Sequence, residues 1–370
     1  MKLALRLVAA LAVLFLYLLF WPVPIEPRVW QPPLAPPEEA YPYNDRLKGI
    51  ERLARHAGRG PEGIALDAQG RLYAGYDDGR VMRFDGDGKH GELLANTGGR
   101  PLGISVGGKG LFVADADKGL LQIGARGDIR VLSTAADGIP FKLTDDVAQS
   151  DADPMLYFTD ASARFGLRRL TADLLEHGDS GRVLRYDPAT GETKTLIRGL
   201  HFANGIALGP GAAYLLVSET AEYRIWRYWL KGDRAGRKEV FIDNLPGFPD
   251  NLSIDDQEHV WLALYAPRDR TLDRLAARPA LRKIAYRLLS FLRPKPERRS
   301  WVLVIDRDGK IARDAQYRGA PQNPKAALPY GPVTSVVQFG PMVYFGSLEE
   351  TAIGRLTILA SLPSPTAAQP

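Results

Sequence analysis

One two-part unit returns six times along this 370-residue chain, and no other feature restricts its fold so tightly. The first part is a short turn, an alternating apolar strand, a polar turn and a second strand. It occurs as "PEGIALDAQGRLYAGY" (61–76), "PLGISVGGKGLFVADA" (101–116), "LTDDVAQSDADPMLYFTDA" (143–161), "ANGIALGPGAAYLLVSET" (203–220), "PDNLSIDDQEHVWLALY" (249–265) and "VTSVVQFGPMVYFGSL" (333–348). A second part follows several of these. Its copies are "GRVMRFDGDGK" (79–89), "GRVLRYDPATGE" (181–192), "YRIWRYWLKGD" (223–233), "SWVLVIDRDGK" (300–310), a terminal "GRLTIL" (354–359) and a weaker "GLLQIGARGD" (119–128). Period-two alternation ended by Asp and Gly turns marks each segment as a strand. Four short strands per repeat make a propeller blade, so the expected fold is an all-β, six-bladed β-propeller. A β-sandwich would not return one motif six times in the same order. The terminal "GRLTIL" is expected to pair with a strand near "ERLARH" (51–56) and close the ring. The propeller then spans 49–360, with a disordered tail at 361–370.

Two repeats carry insertions, at 162–180 and at 266–300. Between Arg268 and Arg299 the second holds eleven Lys or Arg and three acids, a net of +8. Leu281, Ile284, Leu288 and Leu289 fall there at helical spacing. A basic amphipathic helix can lie on an anionic membrane surface. It can equally cover the propeller's top and expose its arginines to water.

The N-terminus carries Lys2 and Arg6, then an uncharged apolar run from Leu7 to Ile25. A helix of about 20 apolar residues crosses the hydrocarbon core. The run ends in "LLFWPVP", without the small-residue cleavage site of a signal peptide, and Trp21 suits an interface. Residues 1–26 are therefore expected to form an uncleaved signal-anchor transmembrane helix. Lys2 and Arg6 place the N-terminus in the cytoplasm and the remainder on the extracytoplasmic (periplasmic) side. Residues 27–48 are rich in proline and form a stiff, extended linker.

Cysteine is absent, which excludes disulfides, thiolate metal sites and cysteine nucleophiles. The net charge of +5 comes with no aromatic-rich basic motif, so nucleic acid is not an expected partner. There is no "GxSxG" elbow and no phosphate-binding "GxxxxGK[ST]".

The innermost strand of each blade points its first residues at the central channel. The residues at that position are Glu62, Leu102, Asp145, Asn204, Asp250 with Asn251, and Thr334 nearby. Four blades thus supply side-chain oxygens, and none of the five histidines falls at an equivalent place. A single Asp or Asn before a strand is usually a turn former. Convergence of four blades on one spot instead predicts a site for a hard cation. Calcium takes about 6–8 oxygens at roughly 2.3–2.6 Å, whereas zinc or iron recruits His or Cys. The expected metal ligands are Glu62, Asp145, Asn204, Asp250 and Asn251.

The segments "PEGIALD", "DDVA…LYFTDAS", "GRVLRYDPATGETKTLIRGLHFANGIAL" and "GFPDNLSID" resemble the strictosidine synthase-like family, which belongs with the gluconolactonases and paraoxonases. The likeness runs from about Pro61 to the C-terminus, and membrane-associated members share the N-terminal anchor. It implies a calcium (Ca2+) at the channel mouth and hydrolysis of a small-molecule lactone or aryl ester. Glu62, Asn204 and Asp250 match gluconolactonase metal ligands, and Asn251 matches a further ligand of paraoxonases. Asp145 stands where the family usually has Asn. Leu102 stands where paraoxonases have a histidine, which removes that base. In the implied chemistry Asp250 is the general base. Tyr157, Phe158 and Phe248 are candidate channel aromatics, and His201 is a candidate for proton transfer. Two other functions remain open at this point. One is a membrane-tethered propeller whose calcium is structural and whose top face binds a partner. The other is condensation of the strictosidine synthase type, whose enzymes use a glutamate acid/base and lack the calcium ligands.

Overall fold

Six four-stranded antiparallel sheets follow one another around a central axis in the computed structural model, which describes residues 1–108, 110–293, 295–319 and 328–357. Blades 1 to 5 each take their four strands in chain order, with inner strands Ile64–Leu66, Pro101–Gly107, Thr144–Ser150, Ala203–Leu208 and Gly247–Ile254. Blade 6 runs Ser335–Phe339, Met342–Gly346 and Ile353–Thr357, and its outer edge is Glu51–Leu53 from the start of the domain. Glu51 pairs with Arg355 and Leu53 with Ile353, so the expected ring closure forms. The closing pair joins the two ends of the domain in one sheet, with Glu51–Leu53 as its outer strand. The expected tail at 361–370 lies outside the described residues.

Both faces of a blade are buried, because each packs on a neighbour. Apolar layers accordingly fill the spaces between blades, among them Val113, Leu121 and Ile104 against Ala65 and Val81. Tyr157 and Phe158 belong to such layers. Tyr157 packs with Val183 and Val217, and Phe158 with Leu184 and Phe112. They are inter-blade core and not channel aromatics. Successive side chains of a second strand point to its two neighbouring blades, so neither of this adjacent pair faces the axis.

The apolar N-terminal run forms one helix, α1 (Lys2–Phe20), none of whose residues is buried. At about 1.5 Å per residue its 19 residues are long enough to cross a membrane. The proline-rich segment that follows holds one short helical turn at Glu38–Ala40 and is packed on the body of the protein. Ile25 is fully buried against Phe165, Ala172 and Leu175. Trp30 donates its backbone N–H to Ala276, and Leu47 donates to Gln316.

The insertions join second to third strands of blades 3 and 5. Second strands end, and first strands begin, at the same end of the propeller, so both insertions sit over the end where the inner strands start. Residues 162–180 hold helix α2 (Leu170–Glu176). Residues 266–300 hold α3 (Arg270–Ala276), capped by the Asp269 carboxylate accepting from Leu272 N–H at 2.7 Å, and α4 (Pro279–Arg287). The helix ends before Leu288, short of the expected Leu289. Of the two arrangements left open, the one that turns its arginines to water does not hold for this helix. Arg282 and Arg287 are buried, whereas Leu281 is exposed. Both arginines donate to backbone carbonyls, Arg282 to Leu175, Ala276 and Arg28, and Arg287 to Trp21 and Leu18.

Candidate metal centre at the channel mouth

A backbone irregularity makes the site. The inner strands of blades 2 to 5 each lose register with their neighbours over a short stretch. The breaks fall between Pro101 and Ile104, Thr144 and Val147, Ala203 and Ile206, and Pro249 and Leu252. The residues inside the four breaks are Leu102–Gly103, Asp145–Asp146, Asn204–Gly205 and Asp250–Asn251. Bulges suspend ladder pairing and re-aim side chains. In blade 1, Glu62 and Gly63 precede the strand and occupy the equivalent place.

The second residue of each pair meets the next blade. A Cβ at Gly63 would lie 2.1 Å from the Leu102 carbonyl oxygen, and one at Gly205 would lie 2.5 Å from Asn251 Cα. Only glycine allows that approach. Elsewhere the second residue makes a hydrogen bond. Asp146 accepts from Ile206 N–H at 2.9 Å, Asn251 N–H donates to the Thr334 carbonyl at 2.9 Å, and Ser335 Oγ donates to the Glu62 carbonyl at 2.6 Å. Thr334 joins the ring through its carbonyl, which accepts from Asn251, and its Oγ1 donates to the Glu62 carbonyl at 3.4 Å.

The structure brings all five expected ligands into this ring. Glu62, Asp145, Asn204, Asp250 and Asn251 are each at most 6% exposed. Asn251 Nδ2 donates to Glu62 Oε1 at 2.8 Å, and the Asn204 amide donates to Asp250. Each amide thus spends its N–H on a carboxylate and keeps its carbonyl oxygen free. Asn204 Oδ1, Asn251 Oδ1 and Glu62 Oε2 are buried without a hydrogen-bond partner. Buried polar atoms are otherwise almost always satisfied. Three unsatisfied acceptors among three carboxylates are what a hard cation would fill, so the residues fit calcium.

Charge supports the same fit. Burial pushes the Glu62 carboxyl up to about 7, with Arg100 opposing the rise and Asp146 adding to it. Asp145 is raised well above the usual carboxylate range by burial and then by Glu62 and Asp250. Burial and then Glu62 do the same to Asp250. Like charges in one buried site cannot all ionise without a cation. The three carboxylates are nevertheless not drawn as tightly together as another group. Among the described residues, the trio of His and acidic side chains whose ligand atoms all lie within 4.8 Å is His177, His201 and Glu222.

That second group lies above the ring, in the cap. His177 Nε2 is 2.9 Å from Glu222 Oε1, and the rings of Trp30, His177 and His201 form a stack with centroids 4.1 and 4.3 Å apart. The two imidazoles are within 16° of parallel. Their in-plane lone pairs run on separate lines, so the arrangement is a stacked, hydrogen-bonded column and not a chelate. His201 is thereby placed in the cap, not among the oxygen ligands. Phe248 packs on Tyr223 and lines a cavity of about 10 Å³ with Trp30, His177 and Arg282. It faces the cap, not the channel.

An apolar roof covers the oxygen ring. Leu102, Leu143, Ala161 and Phe202 stand around the inner-strand starts, and Leu170, Leu174 and Leu348 pack against them. Leu102 thus belongs to the roof. Three further residues shape the site but were not singled out from the sequence. Asp146, pushed up to about 7 by burial, braces Val147 and Ile206 N–H. Arg100 is buried and offsets the charge of Glu62, and Thr220 Oγ1 donates to the Pro249 carbonyl at 2.7 Å. The Asp145–Asp146 doublet, at the same repeat position as Asp250–Asn251, was the available signal for Asp146.

Comparison with known proteins agrees with this architecture. Residues 145–233 match the strictosidine synthase family model, and residues 39–84 match the strictosidine synthase-like N-terminal model. Protein STRICTOSIDINE SYNTHASE-LIKE 4 of Arabidopsis thaliana is 37% identical over 328 residues, covering 85% of this chain and 84% of its own. The chain belongs to the strictosidine synthase-like family. Adipocyte plasma membrane-associated protein of Gallus gallus is 32% identical over 342 residues, covering 85% of this chain and 79% of its own. Two solved structures share the fold at 16% identity. A gluconolactonase of Xanthomonas campestris has a TM-score of 0.58, covering 90% of this chain and 98% of its own. Regucalcin, a calcium-binding protein of Agrobacterium tumefaciens, has a TM-score of 0.57, covering 82% and 92%.

Proposed function

We propose that this family member is a calcium-dependent hydrolase of lactones or aryl esters. In this reading α1 anchors it as a single-pass protein, with the propeller on the extracytoplasmic side. The observation that carries the proposal is the set of buried, unsatisfied oxygens at Glu62, Asn204 and Asn251 beside three carboxylates. The gluconolactonase and regucalcin likenesses support the class through the shared fold. Glu62, Asp145, Asn204, Asp250 and Asn251 would hold the ion. Bound calcium supplies Lewis-acid polarisation of the ester carbonyl and acidifies water. Asp250 takes the proton of the attacking water. Asn204 orients Asp250 through its amide N–H. The Leu102, Phe202 and Leu174 roof keeps bulk water from the ring and gates the approach of substrate.

One observation favours a second reading, a non-catalytic calcium-binding propeller that binds a partner: the roof covers the ring. Initial rates on a panel of γ- and δ-lactones and phenyl acetate, with calcium and with excess chelator, separate the two. Turnover that chelator abolishes and calcium restores supports the hydrolase. Asp250→Asn should then lose turnover while calcium is retained. No turnover from folded, calcium-loaded protein would sink the hydrolase reading.

A further inference from the structure

We propose that the cap lies in the interface of an anionic bilayer, with Leu281, Leu289, Phe291 and Leu292 among the lipids. The surface rests on the reading of α1 as a membrane span, and its first support is the inverted helix α4. A helix on a soluble protein turns its leucines inward and its arginines to water. Here Arg282 and Arg287 are buried at 1% and 9% exposure, and Leu281 is 38% exposed. The chain after the helix continues the outward apolar face, with Leu289, Phe291 and Leu292 at 57%, 71% and 57% exposure. An exposed apolar patch rimmed by charge marks a membrane or partner surface.

Position decides between those occupants. Arg287 donates to the carbonyls of Leu18 and Trp21, at the C-terminal end of α1, and Tyr17 Oη donates to the Arg287 carbonyl. The end of α4 is thus held against the last turn of the span, where the hydrocarbon gives way to headgroups. Trp21, 61% exposed beside Tyr17, is the aromatic expected at that level. Leu289, Phe291 and Leu292 follow within a few residues and have the same bilayer surface beside them. Arg274, Arg278 and Lys295 are exposed and, among the described residues, carry no ion pair. Cations around inserted apolar side chains are the pattern of an anionic lipid interface.

Because the chain contains no cysteine, single-cysteine variants can each carry one nitroxide label. The full chain would be reconstituted into vesicles of mixed phosphatidylglycerol and phosphatidylcholine, and label accessibility to oxygen and to a water-soluble nickel chelate measured. Leu289→Cys and Phe291→Cys report the patch, and Leu11→Cys reports the span. Asp308→Cys reports the turn after Ile305, at the opposite end of blade 5. The expected result is oxygen access with loss of nickel access at 289 and 291, and full nickel access at 308. The shielding should weaken in phosphatidylcholine alone. Labels at 289 and 291 as nickel-accessible as the one at 308, with the label at 11 inside the bilayer, would overturn the docking and leave the anchor standing. Shielding at 289 and 291 with the label at 11 in water would keep the docking and remove the anchor. Loss of both oxygen and nickel access at 291 would place protein, not lipid, over the patch and overturn the proposal.

Discussion

Calcium affinity of the full chain should fall at least about tenfold between pH 8 and pH 6. Glu62 sets this lower bound. The cation takes the deprotonated carboxylate, so protons compete with it, and the competition extends as high as the carboxyl's own pKa. For an ordinary glutamate that competition ends below pH 6. Burial moves the Glu62 carboxyl up to about 7. A group with a pKa of about 7 is roughly nine-tenths deprotonated at pH 8 and roughly one-tenth at pH 6, which weakens the cation about tenfold. Asp145 and Asp250 are also raised, by burial and by their neighbours' charge, and steepen the fall. Titration calorimetry at each pH, in two buffers of different ionisation enthalpy, gives both Kd and the number of protons released. About one to three protons should leave per ion near pH 6.5. A Kd that changes less than about twofold, with no proton release, would refute the reasoning. It would mean that the carboxylates are ionised without the cation, or that they do not bind it.

Three further outcomes follow from the same geometry. In calcium-free protein, Glu62 keeps a proton when folded that it releases when unfolded. Its stabilising share is complete below the ordinary glutamate value of 4.5 and lost as pH rises through about 7, a change of about 3 kcal/mol. Denaturant melts with chelator should therefore show lower stability at pH 8 than at pH 5, and calcium should shrink the difference. Gly205→Ala puts a Cβ 2.5 Å from Asn251 Cα, so it should cost about 1–3 kcal/mol or more in the same melts and weaken calcium in calorimetry. Leu174→Ala thins the roof; it should raise kcat/KM on phenyl acetate severalfold while costing about 1–2 kcal/mol in thermal melts.

The blades were legible because their signal is local. Alternation gives a strand, Gly and Asp turns bound it, and sixfold return gives the ring; even the closing pair 51–53 with 353–357 follows from a surplus strand at each end. The cap was not legible in the same way. Leucine spacing in 281–289 located a helix but left open which face turns to the propeller. What turns two arginines inward is a set of backbone carbonyl acceptors: Leu18 and Trp21 from the N-terminal segment, Leu175 from the first insertion and Ala276 from the preceding helix. Proline content likewise marked 27–48 as a linker, but not that Trp30 would stack on His177. For Tyr157 and Phe158 the sequence showed burial and left the burying surface open, since both faces of a middle strand are covered.

The oxygen ring lies between these cases. Its first-position residues could be read by aligning the repeats, because a bulge at a constant place in blades 2 to 5, and a residue just before the strand in blades 1 and 6, each release one side chain from ladder pairing. The second-position residues follow a different rule, contact with the next blade, and this explains how the repeat tolerates Gly63, Asp146, Gly205, Asn251 and Ser335 at one place. Where the neighbour's backbone comes close the residue must be glycine; where it leaves room, a side chain bridges the gap. Asn251 does both jobs, since its backbone N–H reaches Thr334 in the next blade and its amide reaches Glu62 two blades on around the closed ring. Asp145 then becomes intelligible as a departure the ring can hold. The added carboxyl sits beside Glu62 and Asp250, and its own pKa rises in consequence. It therefore adds full charge only when a cation is there to receive it. Asp145→Asn should lower the number of protons released on calcium binding while leaving the ring's hydrogen bonds in place, and an unchanged proton count would show that Asp145 takes no part in holding the ion.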